Sequence, residues 1–295
     1  MSQLRDIANC IQIFTVPRGV PSENQENSNR LAVFAAAGRF LPLHLSLYSF
    51  LAYKERANVL RSLLTTTRCD PYLQRLAWNN YDGQPTPYLL LQFHCDRLRS
   101  AAVEHDWPDA QSAISYSALH DACQSAVASY DGDPAVAFKI RITLSQAGVL
   151  TATASRVSPF KFDPTSPSFS RPLTDSATLY GPASTTERTV YNAARARAGL
   201  PALPSPDADV LLYNPSEHIT ETSVSNVAFY RSHRWVTPPL SAGCLAGVTR
   251  RWLLQHKRIF EAEPGELTKA SMRPGDWVLL FNSVHGCRLG RITAS

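Results

Sequence analysis

Residues 219–227 read Ile-Thr-Glu-Thr-Ser-Val-Ser-Asn-Val, and residues 237–250 read Thr-Pro-Pro-Leu-Ser-Ala-Gly-Cys-Leu-Ala-Gly-Val-Thr-Arg. The first stretch sets one carboxylate, Glu221, among Thr and Ser. The second ends on Gly247-Val248-Thr249, which opens an expected helix from about Gly247 to Gln255. A helix start exposes unpaired N–H groups and the positive end of its dipole, a ready seat for a phosphate. Around these stretches, Val210–Tyr213, Ser223–Tyr230 and Trp235–Val236 are predicted as strands, and Val278–Asn282 as a late strand after which the chain soon ends.

Working outward, the apolar run Tyr88 to Phe93 suggests a strand, followed by an amphipathic stretch from Asp96 to His105. On such a strand His94, Cys95 and Asp96 alternate in direction, so no metal site is expected there. Residues 115–130 suggest a helix, with Ser117 as its cap and Asp121 in its first turns. Ala135 to Leu144 and Val149 to Ala154 flank Ser145–Gly148 as a hairpin. Residues 157–183 hold five prolines with many Ser and Thr. Thr186 to Ala198 is a predicted helix, stopped by Gly199 and Pro201. Strands and helices mix without regular βαβ alternation, which predicts an α+β or mixed-barrel fold. The expected divisions are an atypical extension over 1–62, a small α/β lobe over 63–157, a linker over 158–183 and a large lobe over 184–295.

The chain has 295 residues, 44% of them apolar and 18% charged, enough for a real core. Of 29 basic residues only five are lysines, Lys54, Lys139, Lys161, Lys257 and Lys269, and the other 24 are arginines. Lysine serves as nucleophile or Schiff-base former, whereas arginine mostly binds anions. The net charge of +5 is modest and scattered, which argues against a nucleic-acid partner. The six cysteines are far apart, so free thiols, no metal and a reducing cytoplasmic setting are expected. Residues 31–53 are strongly apolar, but Arg39, Pro42 and His44 interrupt them, so no membrane span is expected.

Three segments, Tyr88 to Leu98, Leu212 to Val227 and Thr237 to Arg250, together resemble the fold-type IV pyridoxal-phosphate enzymes. These include branched-chain aminotransferases, D-amino-acid transaminases and aminodeoxychorismate lyases, and the flavour is that of the lyase-like fungal branch. The resemblance implies a two-lobed D-amino-acid-aminotransferase-like fold, with a mixed-sheet small lobe and a barrel-like large lobe. It also implies a homodimer, with pockets close to the two-fold axis. By the same resemblance Arg97 matches the arginine that grips the cofactor phosphate, Gly247, Val248 and Thr249 hold that phosphate, and Glu221 pairs with the pyridine nitrogen.

The family helix begins Lys-Thr-Thr-x-Arg-x-x-Tyr-x-x-Ala-Arg. Here it reads Ser184-Thr185-Thr186-Glu187-Arg188-Thr189-Val190-Tyr191-Asn192-Ala193-Ala194-Arg195. Ser184 stands where the resemblance places the lysine, and a serine makes no covalent link to the cofactor aldehyde. Lys139, on a strand face shared with Arg141, and Lys161, in the linker, are the candidate replacements. Asn282-Ser283-Val284-His285-Gly286 resembles a family segment with His285 in place of an arginine. A histidine there titrates near neutral pH.

These readings give one leading expectation. An enzyme without cofactor (cyclase, isomerase or lyase) acts on an anionic or enolic natural-product intermediate. Arg97 and Arg188 bind anions, Arg141 and Ser184 touch substrate, and Glu221, His285 and Tyr191 move protons. The alternatives are a pyridoxal-phosphate aminotransferase or 4-amino-4-deoxychorismate lyase with a relocated lysine, and a non-catalytic binding subunit.

Overall fold

A computed structural model describes residues 62–130, 136–160, 188–201 and 208–293, with the backbone of 173–176. All of them belong to one compact unit. Residues 1–61, with the expected extension and its apolar run, lie outside the described residues, as do Lys161 and Ser184.

The small lobe is a three-stranded antiparallel sheet of β1 (Leu63–Cys69), β2 (Ala137–Leu144) and β3 (Leu150–Val157), in that order. The expected hairpin is β2–β3, joined over Ser145–Gly148. One face of β1–β2 is buried through Leu63, Thr65, Thr67, Ile140, Ile142 and Leu144. The period of two leaves Thr66, Lys139 and Arg141 on the opposite face. Three helices complete the lobe: α1 (Leu91–Glu104), α2 (Pro108–Ala113) and α3 (Tyr116–Ala128).

Two expectations change here. The run from Tyr88 to Phe93 is no strand, because α1 begins at Leu91. Its buried positions, Leu91, His94, Cys95, Leu98, Ala101 and Ala102, follow the helical spacing. Leu90 turns the chain in the left-handed region, at φ 52°, and its N–H is held by the Asn79 side chain at 2.9 Å. His94 and Cys95 are thus buried neighbours on a helix, while Asp96 reaches the surface. The cap of α3 is Ser115, whose Oγ accepts from the Ala118 N–H at 3.0 Å, rather than Ser117.

In the large lobe, β4 (Leu173–Ser176) lies inside the expected linker. It pairs in parallel with β5 (Val210–Tyr213), which pairs in turn with β6 (Ile219–Thr222). Helix α4 (Thr189–Arg197) is closed by Gly199, at φ 65°. The five-stranded sheet runs β11 (Gly286–Arg291), β10 (Trp277–Asn282), β7 (Asn226–Arg231), β8 (Arg234–Thr237), β9 (Phe260–Glu261). One hydrophobic cluster packs Ala228, Leu279 and Phe281 against Val248, Trp252 and Leu253 of α5 (Val248–Gln255). A second joins Val227, Phe229, Val278 and Leu280 to Leu211 and Ile219.

The strand expected over 223–230 begins only at Asn226, since residues 223–225 form the turn after β6. Thr222 and Ser225 close a tight turn between β6 and β7, with Thr222 Oγ1 donating to Ser225 O and accepting from its N–H. The final strand β11 escaped the sequence reading, since Gly-Cys-Arg-Leu-Gly-Arg alternates poorly. Among the described residues no helix is long and apolar enough to cross a membrane.

Candidate functional site

The tight turn after β6 leaves Glu221 buried, at 3% exposure, among hydrogen-bond donors of its own chain. Tyr191 Oη, on α4, donates to Oε1 at 2.8 Å. Asn226 Nδ2, at the start of β7, donates to Oε2 at 3.2 Å, and the Leu245 N–H donates to the same oxygen at 3.1 Å. No Lys or Arg of the described residues lies within ion-pair distance. Desolvation therefore dominates and pushes the Glu221 carboxyl up to about 7, against those hydrogen bonds and the more distant charge of Arg188. Burial, reinforced by the Glu221 charge, also pushes the Tyr191 phenol up.

Arg188 is committed differently from the expectation. Its Nη2 donates to Ser223 O at 2.6 Å, and its guanidinium lies 4.8 Å from the Tyr191 ring centre. It braces the Glu221 turn and Tyr191. Arg195 and Asp209 brace the same turn from below, through Ser223 Oγ. Asn226 also donates to Leu245 O at 2.9 Å, tying the Glu221 hairpin to the segment that enters α5. A Cβ on Gly247 would meet Asn226 Oδ1 at 1.9 Å, so only glycine lets the two segments approach.

Helix α5 starts at Val248 after Gly247, and no side chain caps it. Its first N–H groups are free to take an outside acceptor. Thr249 Oγ1 lies 3.4 Å from Ser283 Oγ. Asn282, beside it, donates to Val224 O and Ser225 Oγ at 3.2 and 3.0 Å, so the β10–β11 turn is pinned to the Glu221 hairpin. Arg97 comes to this end from α1. It is half-buried, donates through Nη2 to Thr65 Oγ1, and has no carboxylate partner among the described residues. Burial, then the neighbouring Arg251, pushes its guanidinium down to about 10. Arg251 is itself neutralised by Asp96 at 2.5 Å.

His285 sits on the β10–β11 turn. The residue is exposed, and desolvation, then the charges of Arg288, Arg68 and Lys139, shift its ring below the usual histidine range. Arg68, whose cross-strand neighbour is Lys139, binds Asp70 at 2.7 Å and donates to Val284 O at 3.1 Å. Lys139 and Arg141 are exposed on β2 and share no described hydrogen bond with Glu221.

The structure thus gathers Glu221, Tyr191, Arg188, Gly247, Val248 and Thr249, with Arg97 near Arg251 of α5. The sequence reading missed Asn226 and Thr65 as partners. Asn226 lay inside the quoted segment, five residues after Glu221. Thr65 carried no sequence signal, since only the sheet brings it to α1.

The amino-transferase class IV family matches residues 77–291. A Schizosaccharomyces pombe protein, provisionally named an aminodeoxychorismate lyase, is 33% identical over 208 residues, 69% of this chain and 82% of that protein. A Legionella pneumophila structure, provisionally called a 4-amino-4-deoxychorismate lyase, shares the fold at TM-score 0.59 and 18% identity, over 81% of this chain and 85% of that one. A hypothetical aminotransferase from Mycobacterium tuberculosis, described with α-ketoglutarate and PMP bound, has TM-score 0.55 and 16% identity, over 79% and 80% of the two chains.

These likenesses correct the expectation of no cofactor, because the family and its structural neighbours are pyridoxal-phosphate enzymes and one of them holds PMP. The residues present fit such a group. A buried carboxylate without a cation suits a protonated pyridine nitrogen. The uncapped start of α5 and an arginine without a carboxylate suit a phosphate. The two-lobed fold-type IV architecture follows from the same neighbours, and the chain belongs to the class IV aminotransferase family.

Proposed function

We propose that the protein is a pyridoxal-phosphate enzyme of the aminodeoxychorismate-lyase kind, which holds its cofactor without a covalent link at Ser184. The observation that carries this reading is a buried Glu221, without an ion-pair partner among the described residues, set beside the uncapped start of α5. The likeness to the fission-yeast protein favours a lyase over other chemistry. Bound there, the cofactor supplies an electron sink for the amine-bearing carbon of a substrate.

The chain's own residues supply the rest. Glu221 would pair with the ring nitrogen, a cationic ring favouring its ionised form, and Tyr191 and Asn226 keep its two oxygens oriented. Arg97, Thr249 and the first N–H groups of α5 hold the phosphate. His285, on the β10–β11 turn, is the candidate to move a proton, and Arg141, exposed on β2, offers its guanidinium to a substrate carboxylate. Two copies of the chain are expected to assemble as a dimer. A second reading makes Lys139 the covalent amine. Of the described lysines it is the one whose charge reaches a candidate site residue, His285.

Titrating the purified full chain with pyridoxal phosphate, by absorbance above 380 nm, tests the first reading. Saturable binding is expected, with pyruvate released from 4-amino-4-deoxychorismate only when the cofactor is present. Absence of saturable binding overturns it. After borohydride treatment, mass spectrometry is expected to show no cofactor on the chain. Cofactor mass on the peptide holding Lys139 would establish the second reading instead.

A further inference from the structure

His94 lies three residues before Arg97 on α1, and its ring is fully buried. Its Nδ1 is 2.5 Å from the Thr65 hydroxyl. Arg97 Nη2 donates to that same hydroxyl. Proton counting fixes the direction of the arginine bond and narrows that of the histidine bond. Arginine only donates, and a threonine hydroxyl carries one proton and two lone pairs. Arg97 occupies a lone pair of Oγ1. The one Thr65 proton has no acceptor other than His94 Nδ1 among the described residues, which points to the hydroxyl as donor in that bond. A neutral imidazole that accepts at Nδ1 carries its own proton on Nε2. That Nε2 has no partner among the described residues, so nothing there competes for the ring's orientation.

The ring is also kept uncharged. Burial, then the positive charges of Arg97 and Arg251, hold His94 well below the ordinary histidine range. Protonation would put a third cation beside two arginines and turn Nδ1 into a donor facing Thr65. The facing groups are Thr65 from β1, Arg97 from α1 and Arg251 from α5; Asp96, on α1, is taken by Arg251.

We propose that His94, fixed as its Nε2–H tautomer, is a positioning residue that acts through Thr65 to hold the Arg97 guanidinium ready for a phosphate. The inference rests on the reading of Arg97 as a phosphate ligand, but the tautomer and the shared hydroxyl belong to the protein before any ligand binds. The sheet of the small lobe and the helix of the phosphate grip are thereby coupled at one oxygen atom.

Long-range ¹H–¹⁵N spectra of the full chain, labelled at histidine and assigned through His94→Asn, test the first half. A pyridine-type Nδ1 and a protonated Nε2 are expected from pH 6 to 8. A protonated Nδ1, or an imidazolium at pH 7, overturns the relay. Thr65→Val removes the hydroxyl at nearly constant shape and tests the second half. It is expected to shift the Nδ1 resonance and weaken pyridoxal phosphate binding about tenfold, the scale of one charged hydrogen bond. Unphosphorylated pyridoxal is expected to be almost unaffected, and Thr65→Ser to restore the phosphate-dependent affinity. Equal loss of both ligands in Thr65→Val overturns the proposal, because it marks a general disturbance of the lobe. If the unaltered chain binds no pyridoxal phosphate, the functional reading fails and the phosphate role of His94 with it, while the spectra still decide the tautomer.

Discussion

Glu221 receives three hydrogen bonds from Tyr191, Asn226 and Leu245, all within its own chain. At the other end of the site, Arg97 and the start of α5 present donors and no carboxylate. The first end is completed by the protein, which stores a carboxylate in a dry place and raises its proton affinity. Among the described residues the second is left short of an acceptor, and the proposed function has an anionic ligand complete it. Buried polar groups are normally satisfied, so an end that the chain leaves incomplete shows where binding free energy is to be gained.

The largest test of this contrast is Glu221→Gln. Turnover is expected to fall roughly 10²–10³-fold, the scale of removing one group that stabilises developing charge. Retention of the cofactor through its phosphate should largely survive. Equal loss of turnover and phosphate affinity would show that the two ends do not act separately.

The stability of the ligand-free protein sharpens the same point. A carboxyl whose folded pKa lies above its unfolded value, roughly 4.3, binds extra protons in the native state between the two. Its contribution is fully present below the unfolded value and is lost as pH rises through about 7. The difference between pH 4 and pH 8 is on the order of 3 kcal/mol. Urea unfolding across this range, with Glu221→Gln as the reference, reads it directly. A wild-type slope no steeper than the variant's would mean that the carboxylate is not held in a dry site.

The smallest expected effect lies where the two ends meet. Gly247→Ala drives a methyl against Asn226 Oδ1, forcing the amide away from Glu221 and Leu245. A cost of about 1–3 kcal/mol is expected in thermal unfolding. An unchanged melting temperature would show that Asn226 does not lock the Glu221 hairpin to α5.

Legibility in the sequence differed between these ends as well. Glu221 and Gly247 fall in two short segments whose residue types announce their roles. Arg97 was named, but its surroundings were misread, because Tyr88 to Phe93 is apolar enough for either a strand or a buried helix. Periodicity alone does not separate the two over so few residues. His285 was read by its ordinary titration, and only the fold sets it near the charges of Arg288, Arg68 and Lys139. Arg188 was read as an anion ligand, and the fold sets one of its N–H groups on Ser223 O and its guanidinium beside the Tyr191 ring, a bracing contact that residue type did not announce.

What the sequence by itself determined is the list of chemical groups. It shows five lysines with none at 184, a lone carboxylate at 221, and a Gly-Val-Thr helix start. Those facts depend only on residue identity and local spacing. Tertiary structure alone decided which groups are paired and which are left to a ligand. Thr65 is 29 residues from His94 and 32 from Arg97 along the chain, and the fold joins all three through one hydroxyl. Desolvation and hydrogen bonding depend on what surrounds a group, and these surroundings come from distant segments. That is why the Glu221 carboxyl is pushed above the usual carboxylate range, which residue type alone does not fix.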